Sequence, residues 1–146
     1  MSAVLVINGP NLNLLGQREA GIYGKVSLQN ISDNLAKMAK DRNINIEFLQ
    51  SNHEGEIVDA IQKAKGKFDA ILINPAAFTH TSVAIRDAFL ATDIPFVEVH
   101  LSNISARESF RHHSFLSDIA RGTIAGFGEQ SYYLGLQALF QVLSSK

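Results

Sequence analysis

The stretch Ala3-Val4-Leu5-Val6-Ile7 decides the fold class of this chain, because it is apolar at every position without alternation. Such a run is typical of a parallel strand that is covered on both of its faces. Short, mostly apolar runs over residues 44–49, 68–73, 95–101 and 123–127 predict four further strands. The chain therefore contains five candidate strands.

Helical periodicity fills the intervals between these strands. One apolar stripe consists of Leu28, Ile31, Leu35 and Met38, and a second, from residue 57 to residue 64, ends near Gly66. Residues 83–89 and 132–143 predict two more helices. Five strand-then-helix units predict an α/β protein with helices on both faces of a parallel sheet.

The length of 146 residues favours one fold among the doubly wound arrangements. A six-stranded Rossmann sheet needs more chain, so we expect a flavodoxin-like three-layer sandwich whose five-stranded parallel sheet has the order 2-1-3-4-5. We also expect residues 1–146 to form a single domain, because domains typically contain about 100–200 residues.

Composition excludes several classes of function. A formal net charge of -1 argues against a nucleic-acid partner, and zero cysteines exclude disulfides, thiolate metal sites and a cysteine nucleophile. The five histidines show no metal-ligand spacing, so no metal is expected. No apolar run approaches a membrane span, and the first residues lack the features of a signal peptide, so we expect a cytoplasmic protein without a membrane partner.

Polar residues cluster where strands 1, 3 and 4 end. Strand 1 leads into residues 8–13, strand 3 into residues 74–80, and strand 4 carries Glu98 and His100 before continuing to Asn103. In the expected sheet order these strands are neighbours, and open α/β sheets bind ligands outside the carboxyl ends of their strands. The sequence therefore predicts one ligand-binding crevice at this edge.

A long connection, from Gly9 to Val26, follows strand 1. Loops of more than about 12–15 residues are uncommon in compact domains and are usually lids, binding loops or disordered segments. Its glycines, together with Arg18 and Tyr23, favour an active-site lid within about residues 9–26. A surface loop without function is the alternative.

Glu98 interrupts a strand that should be apolar throughout. A buried charge is unfavourable unless it is paired, and residues two apart on a strand share a face, so His100 is the nearest candidate partner. A carboxylate that orients an imidazole is a recurrent acid–base arrangement. A purely structural pair remains the alternative.

Arg18 and Tyr23 suggest a base. A free tyrosine has a pKa near 10, but an arginine about 4 Å away contributes about 4 kcal/mol at an effective dielectric constant of 20. Since a pKa unit corresponds to about 1.4 kcal/mol, this attraction could bring a phenol pKa to about 7 before desolvation opposes it. The pair permits a tyrosinate base, and spacing leaves open whether the two side chains meet.

An anion site is suggested after strand 4. The backbone N–H groups of residues 101–105 can open a helix there, and Arg107, Arg111, His112 and His113 follow closely. Arg111 is the residue that we expect to point inward. A solvated basic face is an equal alternative for the other three residues.

Long motifs at these same places resemble the type II 3-dehydroquinate dehydratases. They are residues 8–16 with Arg18-Glu19 and Tyr23-Gly24, Asn74-Pro75 with residues 79–88, residues 98–103 with Arg107-Glu108 and Arg111, and residues 126–128 with 132–135. The likeness covers nearly the whole chain. One departure is Ala76, where the family usually has glycine, and it concerns the local turn geometry.

The resemblance implies a cofactor-independent lyase of the shikimate pathway, and hence of aromatic amino-acid and chorismate biosynthesis. Such an enzyme dehydrates 3-dehydroquinate to 3-dehydroshikimate by anti elimination through an enolate. It implies that Tyr23 is the base, that Arg18 favours its tyrosinate form, and that His100, oriented by Glu98, is the acid. Asn11 would hold a water molecule that stabilises the enolate oxygen.

Substrate-binding roles are also implied by the resemblance. Asn74 and the backbone of Leu101 and Ser102 would bind the substrate carboxylate, and His80 and Arg111 would bind ring hydroxyls. Asp87 would reach the site of a neighbouring subunit, because the family forms dodecamers built as tetramers of trimers. Two other classes compete: a flavodoxin-like module that binds FMN or a phosphorylated ligand, and a structural or partner-binding domain.

Overall fold

The computed structural model describes residues 1–17 and 26–145. Its strands are β1 (Ala3–Asn8), β2 (Asn45–Gln50), β3 (Ala70–Asn74), β4 (Phe96–His100) and β5 (Gly122–Ala125). All neighbouring strands are parallel, and their order is β2-β1-β3-β4-β5. The predicted fold class and strand order are confirmed.

Four α-helices cover the sheet: α1 (Leu28–Asp41), α2 (Glu54–Ala64), α3 (Val83–Thr92) and α4 (Gln130–Ser144). Short 3-10 helices lie at Leu12–Leu14, Ala76–His80, Ile104–Ala106 and Ser109–Arg111. The last three lie at or near the carboxyl ends of β3 and β4, so they carry the side chains of the predicted crevice.

The two faces of the sheet belong to two cores. Val4 and Val6 of β1 pack in one core with α1 and α4, whereas Leu5 and Ile7 pack in the other with α2 and α3. This division follows from the pleat, which directs successive side chains to opposite faces. The result is a flavodoxin-like sandwich with an apolar core on each face of the sheet.

Local signals place the helix ends. Ser27 caps α1 and forms a reciprocal capping box with Asn30, and the Ser82 hydroxyl accepts a hydrogen bond from the backbone N–H of Ile85 at the start of α3. Gly66, with φ +83°, follows α2 in the left-handed conformation that commonly ends a helix. The predicted stop near Gly66 is therefore present.

Two elements differ from the prediction. β5 ends at Ala125, because Gly126 turns the chain with φ +98° and the Phe127 backbone N–H donates to the Ser131 hydroxyl; Phe127 is exposed. Between β4 and β5, where every residue is described, the chain forms the short 3-10 helices Ile104–Ala106 and Ser109–Arg111, and the expected regular helix after β4 is not present. Within residues 1–17 and 26–145, no helix is both long and apolar enough to cross a bilayer.

Candidate active site

A cavity opens at the carboxyl ends of β1, β3 and β4. Its volume is about 740 Å³ when the part open to solvent is included. Seven of the predicted site residues line it: Asn11, Asn74, His80, His100, Leu101, Ser102 and Arg111. The crevice predicted from the sheet order therefore exists, and it brings together residues from three separate segments.

Gly9 allows the loops after β1 and β3 to meet. Its N–H donates to the Asn74 carbonyl at 2.8 Å. A Cβ at this position would lie 2.3 Å from the Pro75 carbonyl oxygen, which is far inside van der Waals contact. Only glycine permits this approach, which positions Asn11 and Asn74 on one cavity wall.

Ala76 adopts the turn that a glycine would favour. Its φ is +52°, in the left-handed region, and its N–H donates to the Asn74 side-chain oxygen at 3.1 Å. Alanine adopts this conformation only with strain, because its Cβ is crowded there. The hydrogen bond to Asn74 stabilises the turn.

Asn74 belongs to a buried polar network. Its Nδ2 donates to the Tyr132 phenol oxygen at 3.0 Å, and the Tyr132 hydroxyl donates to Asn8 Oδ1 at 2.6 Å. Burial raises the pKa of Tyr132, so this phenol keeps its proton. Since Oδ1 of Asn74 is already bound to Ala76, the free amide hydrogen is available to the cavity as a donor.

Glu98 is fully buried and surrounded by donors. Its Oε2 lies 2.5 Å from His100 Nε2 and accepts from the Thr79 and Ser114 hydroxyls at 2.6 and 2.9 Å, and its Oε1 accepts from Ser117 at 2.7 Å. Burial raises the pKa of this carboxyl, but the hydrogen bonds and the neighbouring imidazole outweigh burial and lower it overall. Glu98 is therefore a carboxylate.

His100 forms the contact that its spacing from Glu98 predicted. An ionised carboxylate only accepts hydrogen bonds, so Nε2 of His100 carries a proton and donates it to Glu98. Nδ1 of His100 has no hydrogen bond to the described residues, and the ring lines the cavity. Nδ1 is therefore the ring nitrogen that remains available to a ligand in the cavity.

His80 lies on the same cavity, beyond β3. Its Nδ1 lies 2.8 Å from the His113 carbonyl oxygen and donates to it. Partial burial is the main reason that the pKa of His80 is lowered, and the nearby His100 and Arg111 add to this effect. A neutral ring at position 80 leaves Nε2 as an acceptor, which suits a ligand hydroxyl.

The start of the segment after β4 provides backbone donors. The N–H groups of Leu101 and Ser102 make no hydrogen bond to the described residues, although both residues line the cavity. Such unpaired N–H groups commonly bind anions. They lie on the same cavity as Asn74 and the predicted Arg111.

Arg111 lines the cavity as predicted, and Arg107 lines it too. Both arginines form salt bridges with Glu108, whose Oε1 lies 3.1 Å from Nε of Arg111 and 3.7 Å from Nε of Arg107. A hydrogen bond to its own backbone is the main reason that the pKa of this exposed carboxyl is lowered, and the two guanidinium groups lower it further. The sequence left Arg107 between site and surface, because two short 3-10 helices set the direction of its side chain.

The hydroxyls of Thr79, Ser114 and Ser117 are site residues that sequence reasoning missed. They lie 16 to 19 positions from Glu98. No local periodicity connects them to that carboxylate. Thr79 stood within the polar segment after β3 and within the motif of residues 79–88, but neither signal connected it to Glu98.

Three further predicted site residues remain: Arg18, Tyr23 and Asp87. Arg18 and Tyr23 fall outside the described residues. Asp87 is exposed on α3 and does not line the cavity of its own chain.

At the start of the long connection, Leu12 and Leu15 are buried in the core, which fixes residues up to 17 against the sheet. Among the described residues, no cluster of His, Asp or Glu has the arrangement of a metal site.

One cavity is therefore lined by the His100 imidazole, by two residues whose N–H groups have no partner among the described residues, and by two guanidinium groups. Such an arrangement can hold a small carboxylate and exchange a proton with it. A purely structural role for the Glu98–His100 pair would not explain why His100 opens on the same cavity as the backbone donors.

Comparisons with known proteins agree with this reading of the fold. The family described as Dehydroquinase class II matches residues 2–140. A protein of Acaryochloris marina named 3-dehydroquinate dehydratase is 62% identical over 144 residues, which cover 99% of this chain and 97% of that protein. A protein of the same name from Cellvibrio japonicus is 57% identical over 146 residues, which cover 99% of this chain and 99% of that protein.

The solved structures point the same way. The type II dehydroquinase of Butyrivibrio crossotus superposes with a TM-score of 0.92 at 45% identity, covering 94% of this chain and 97% of that chain. For the type II dehydroquinase of Propionibacterium acnes, the TM-score is 0.90 at 40% identity, with 95% and 96% covered. Sequence and fold agree over nearly the full length, and the chain belongs to the class II dehydroquinase family.

Proposed function

We propose that this chain is a cofactor-independent hydro-lyase that converts 3-dehydroquinate to 3-dehydroshikimate and water. Its relatives carry the name of this activity. The observation that carries the proposal is the buried Glu98 carboxylate, which binds Nε2 of His100 and leaves Nδ1 toward the cavity. A binding module for FMN or a phosphorylated ligand would need no such pair.

His100 is the proposed acid. The reaction removes a proton from the carbon beside the ketone and expels a β-hydroxyl group, which must be protonated to leave as water. Protonated at Nδ1, the imidazolium of His100 supplies that proton, and the Glu98 carboxylate stabilises its charge. Removal of one general acid typically reduces the rate by 10²–10⁴-fold.

Tyr23 is the proposed base, with Arg18 beside it. The support is the resemblance of the motif around both residues to the family, together with the attraction of a guanidinium for a phenolate. The tyrosinate takes the proton beside the ketone, and an enolate forms. The enolate then reforms the ketone as the carbon–oxygen bond to the leaving hydroxyl breaks, which leaves a conjugated enone.

The substrate carboxylate is proposed to lie against Asn74 and the N–H groups of Leu101 and Ser102. Support comes from the free amide hydrogen of Asn74 and from the two backbone donors without partners among the described residues. His80 and Arg111 would bind ring hydroxyls. Asn11, exposed at the cavity mouth, would hold the water that stabilises the enolate oxygen.

A homo-oligomer is proposed as the working assembly, a dodecamer built from trimers. Asp87 is exposed on α3, where a neighbouring subunit could receive it, and its own cavity does not use it. Residues within about 9–26 are proposed to include a lid. Light scattering gives the assembly mass, and a monomer would reject this part of the proposal.

The central test is an assay with 3-dehydroquinate that follows the ultraviolet absorbance of the enone product. A rise is expected with the native chain, and no rise would reject the dehydratase. The Tyr23→Phe variant should lose turnover while its far-UV circular dichroism is unchanged, whereas Tyr133→Phe, on α4, serves as the matched control. Activity retained by Tyr23→Phe would remove this residue from the role of base.

A second experiment tests the enolate route. Borohydride added with substrate reduces an imine between a lysine and a ketone, and thereby adds mass to the protein. Neither inactivation nor added mass is expected here. Covalent trapping of substrate would contradict the proposed mechanism while leaving the overall reaction in place.

A further inference from the structure

Three hydroxyl groups, those of Thr79, Ser114 and Ser117, surround Glu98 in fixed positions. The reaction proposed above gives them no role. Thr79 lies on the 3-10 helix Ala76–His80, and Ser114 and Ser117 lie beyond the 3-10 helix Ser109–Arg111. Thr79 and Ser114 are both buried. All three hydroxyls form hydrogen bonds to the Glu98 carboxylate, although none of the three residues is close to Glu98 in sequence.

The proton count of this cluster determines the direction of its hydrogen bonds. Each hydroxyl has one proton to donate. The oxygens of Thr79 and Ser114 are 2.6 Å apart, so one of the two donates to Glu98 and the other donates either to Glu98 or to its neighbour. The backbone N–H of Leu116 already donates to Ser114 at 3.1 Å. Glu98 is thereby left as an acceptor throughout.

The segment that carries the two serines is anchored from both sides. The backbone N–H of Phe115 donates to the Thr79 carbonyl at 2.8 Å. Arg86, on α3, donates to the Phe115 carbonyl at 2.9 Å and pairs with Asp118. The hydroxyls therefore sit on a fixed frame, which is what is required of groups that orient another side chain.

From this geometry we propose that Thr79, Ser114 and Ser117 are positioning residues, which hold Glu98 as an acceptor and so fix the proton of His100 on Nε2. Nδ1 is then the nitrogen that exchanges a proton at the cavity. The proposal rests on the proposed function where turnover is concerned. The tautomer of His100 is independent of any reaction.

The variants follow from the contacts. Thr79→Val removes one donor at nearly constant shape, and Thr79→Ser keeps the hydroxyl. Ser117→Ala removes the donor to Oε1 at an exposed position, where no buried cavity results. Thr92→Val is the matched control, because Thr92 is also buried but its hydroxyl bonds only to backbone carbonyls within α3.

The first readout is nitrogen-15 NMR of the neutral histidine rings, which distinguishes a protonated ring nitrogen from an unprotonated one. In the native chain we expect His100 to carry its proton on Nε2. In Thr79→Val and Ser117→Ala the other tautomer should become detectable, while Thr79→Ser and Thr92→Val resemble the native chain. A proton on Nδ1 in the native chain, or an unchanged tautomer in Thr79→Val, would overturn the proposal.

The second readout is turnover of 3-dehydroquinate. Thr79→Val should lower kcat about 10-fold or more with KM within about 2-fold, because hydrogen bonds to charged groups are worth about 10- to 100-fold. Thr79→Ser should restore kcat, and an unchanged kcat in folded Thr79→Val would also overturn the proposal. If the native chain shows no turnover, only the proposed function fails, and the NMR result still decides the role of the hydroxyls.

Discussion

Asn74, at the end of β3, donates a hydrogen bond of 3.0 Å to the phenol oxygen of Tyr132, which lies on α4. The same phenol donates to Asn8 at the end of β1, so one hydroxyl joins two neighbouring strands to the helix that covers them. Tyr132 thereby determines which edge of the Asn74 amide faces the cavity. Tyr132 thus positions a side chain of the cavity wall although it does not itself line the cavity.

Substitution of Tyr132 by phenylalanine should weaken substrate binding more than it slows turnover. Without the phenol, Asn74 and Asn8 each lose a buried partner, and the Asn74 amide is free to rotate. We expect KM to rise about 3- to 10-fold with kcat changed less, and the free energy of unfolding to fall by about 1–3 kcal/mol. Steady-state kinetics and urea unfolding measure the two effects.

Tyr133→Phe is the matched control for this prediction. Tyr133 is the next residue, and its hydroxyl also has two partners, Asn34 and Glu129, but both lie outside the cavity. Its removal should leave KM unchanged. An equal rise of KM in both variants would indicate a general loosening of α4 rather than a specific effect on Asn74.

The sheet was predictable because its signals are local. The strands are short, mostly apolar runs and each helix has an apolar stripe, so the elements and their layers follow from short stretches, and the chain length favoured the strand order. The contact between Glu98 and His100 was predictable for the same reason, since a strand places residues two apart on one face. The crevice followed from the order of the strands.

The contacts that complete the site could not be predicted in this way. Tyr132 meets Asn8 across 124 positions, and its place on α4 indicated only an apolar face. The donors to Glu98 come from 3-10 helices and turns, whose side-chain directions follow no period. Leu12 and Leu15 did carry a local signal, because two leucines three apart indicate a buried turn rather than a freely moving loop.

Replacement of Glu98 by glutamine should change how stability depends on pH. The pKa of Glu98 in the folded chain lies below its ordinary value of 4.5, since its hydrogen bonds and His100 favour the carboxylate. The resulting stabilisation is fully present above about pH 4.5 and is lost as the pH falls through the lower folded value. Glu98→Gln should therefore be less stable than the native chain at pH 7, with a difference that shrinks on acidification.

Urea unfolding at several pH values between about 7 and 3 measures this difference. A difference that stays constant over the range would show that Glu98 stabilises the fold through packing, without any contribution from its charge. Glu56→Gln, at an exposed position of α2, is the control for the loss of a carboxylate as such.

Gly135 should not tolerate alanine, although it lies in the middle of a helix. An added Cβ would lie 2.6 Å from Val99 Cγ1 and 2.8 Å from Leu72 Cδ1, because α4 packs directly on the sheet there. We expect a loss of about 1–3 kcal/mol in the free energy of unfolding, as for other overpacked cores. Thermal and urea unfolding of the variant measure the loss.

Gly55→Ala makes the same chemical change where there is room. Gly55 is an exposed residue of α2, and nothing lies within 4 Å of an added Cβ. This variant should gain about 0.5–1 kcal/mol, because alanine is the better helix former. If both variants gained stability, the close approach of α4 to β3 and β4 would not be a constraint on the fold.

Ala76→Gly should stabilise the turn between β3 and the cavity. Ala76 has φ +52°, where an L-residue with a Cβ loses about 1–2 kcal/mol. Glycine relieves this strain, but its greater freedom in the unfolded chain offsets part of the effect, so we expect the free energy of unfolding to increase by about 0.5–1 kcal/mol.

The control is the neighbouring Ala77→Gly, which has no positive φ to relieve and should lose stability instead. Opposite signs in urea unfolding would establish that the effect belongs to the left-handed turn, and a loss of stability in both would mean that the hydrogen bond from residue 76 to Asn74 depends on the alanine.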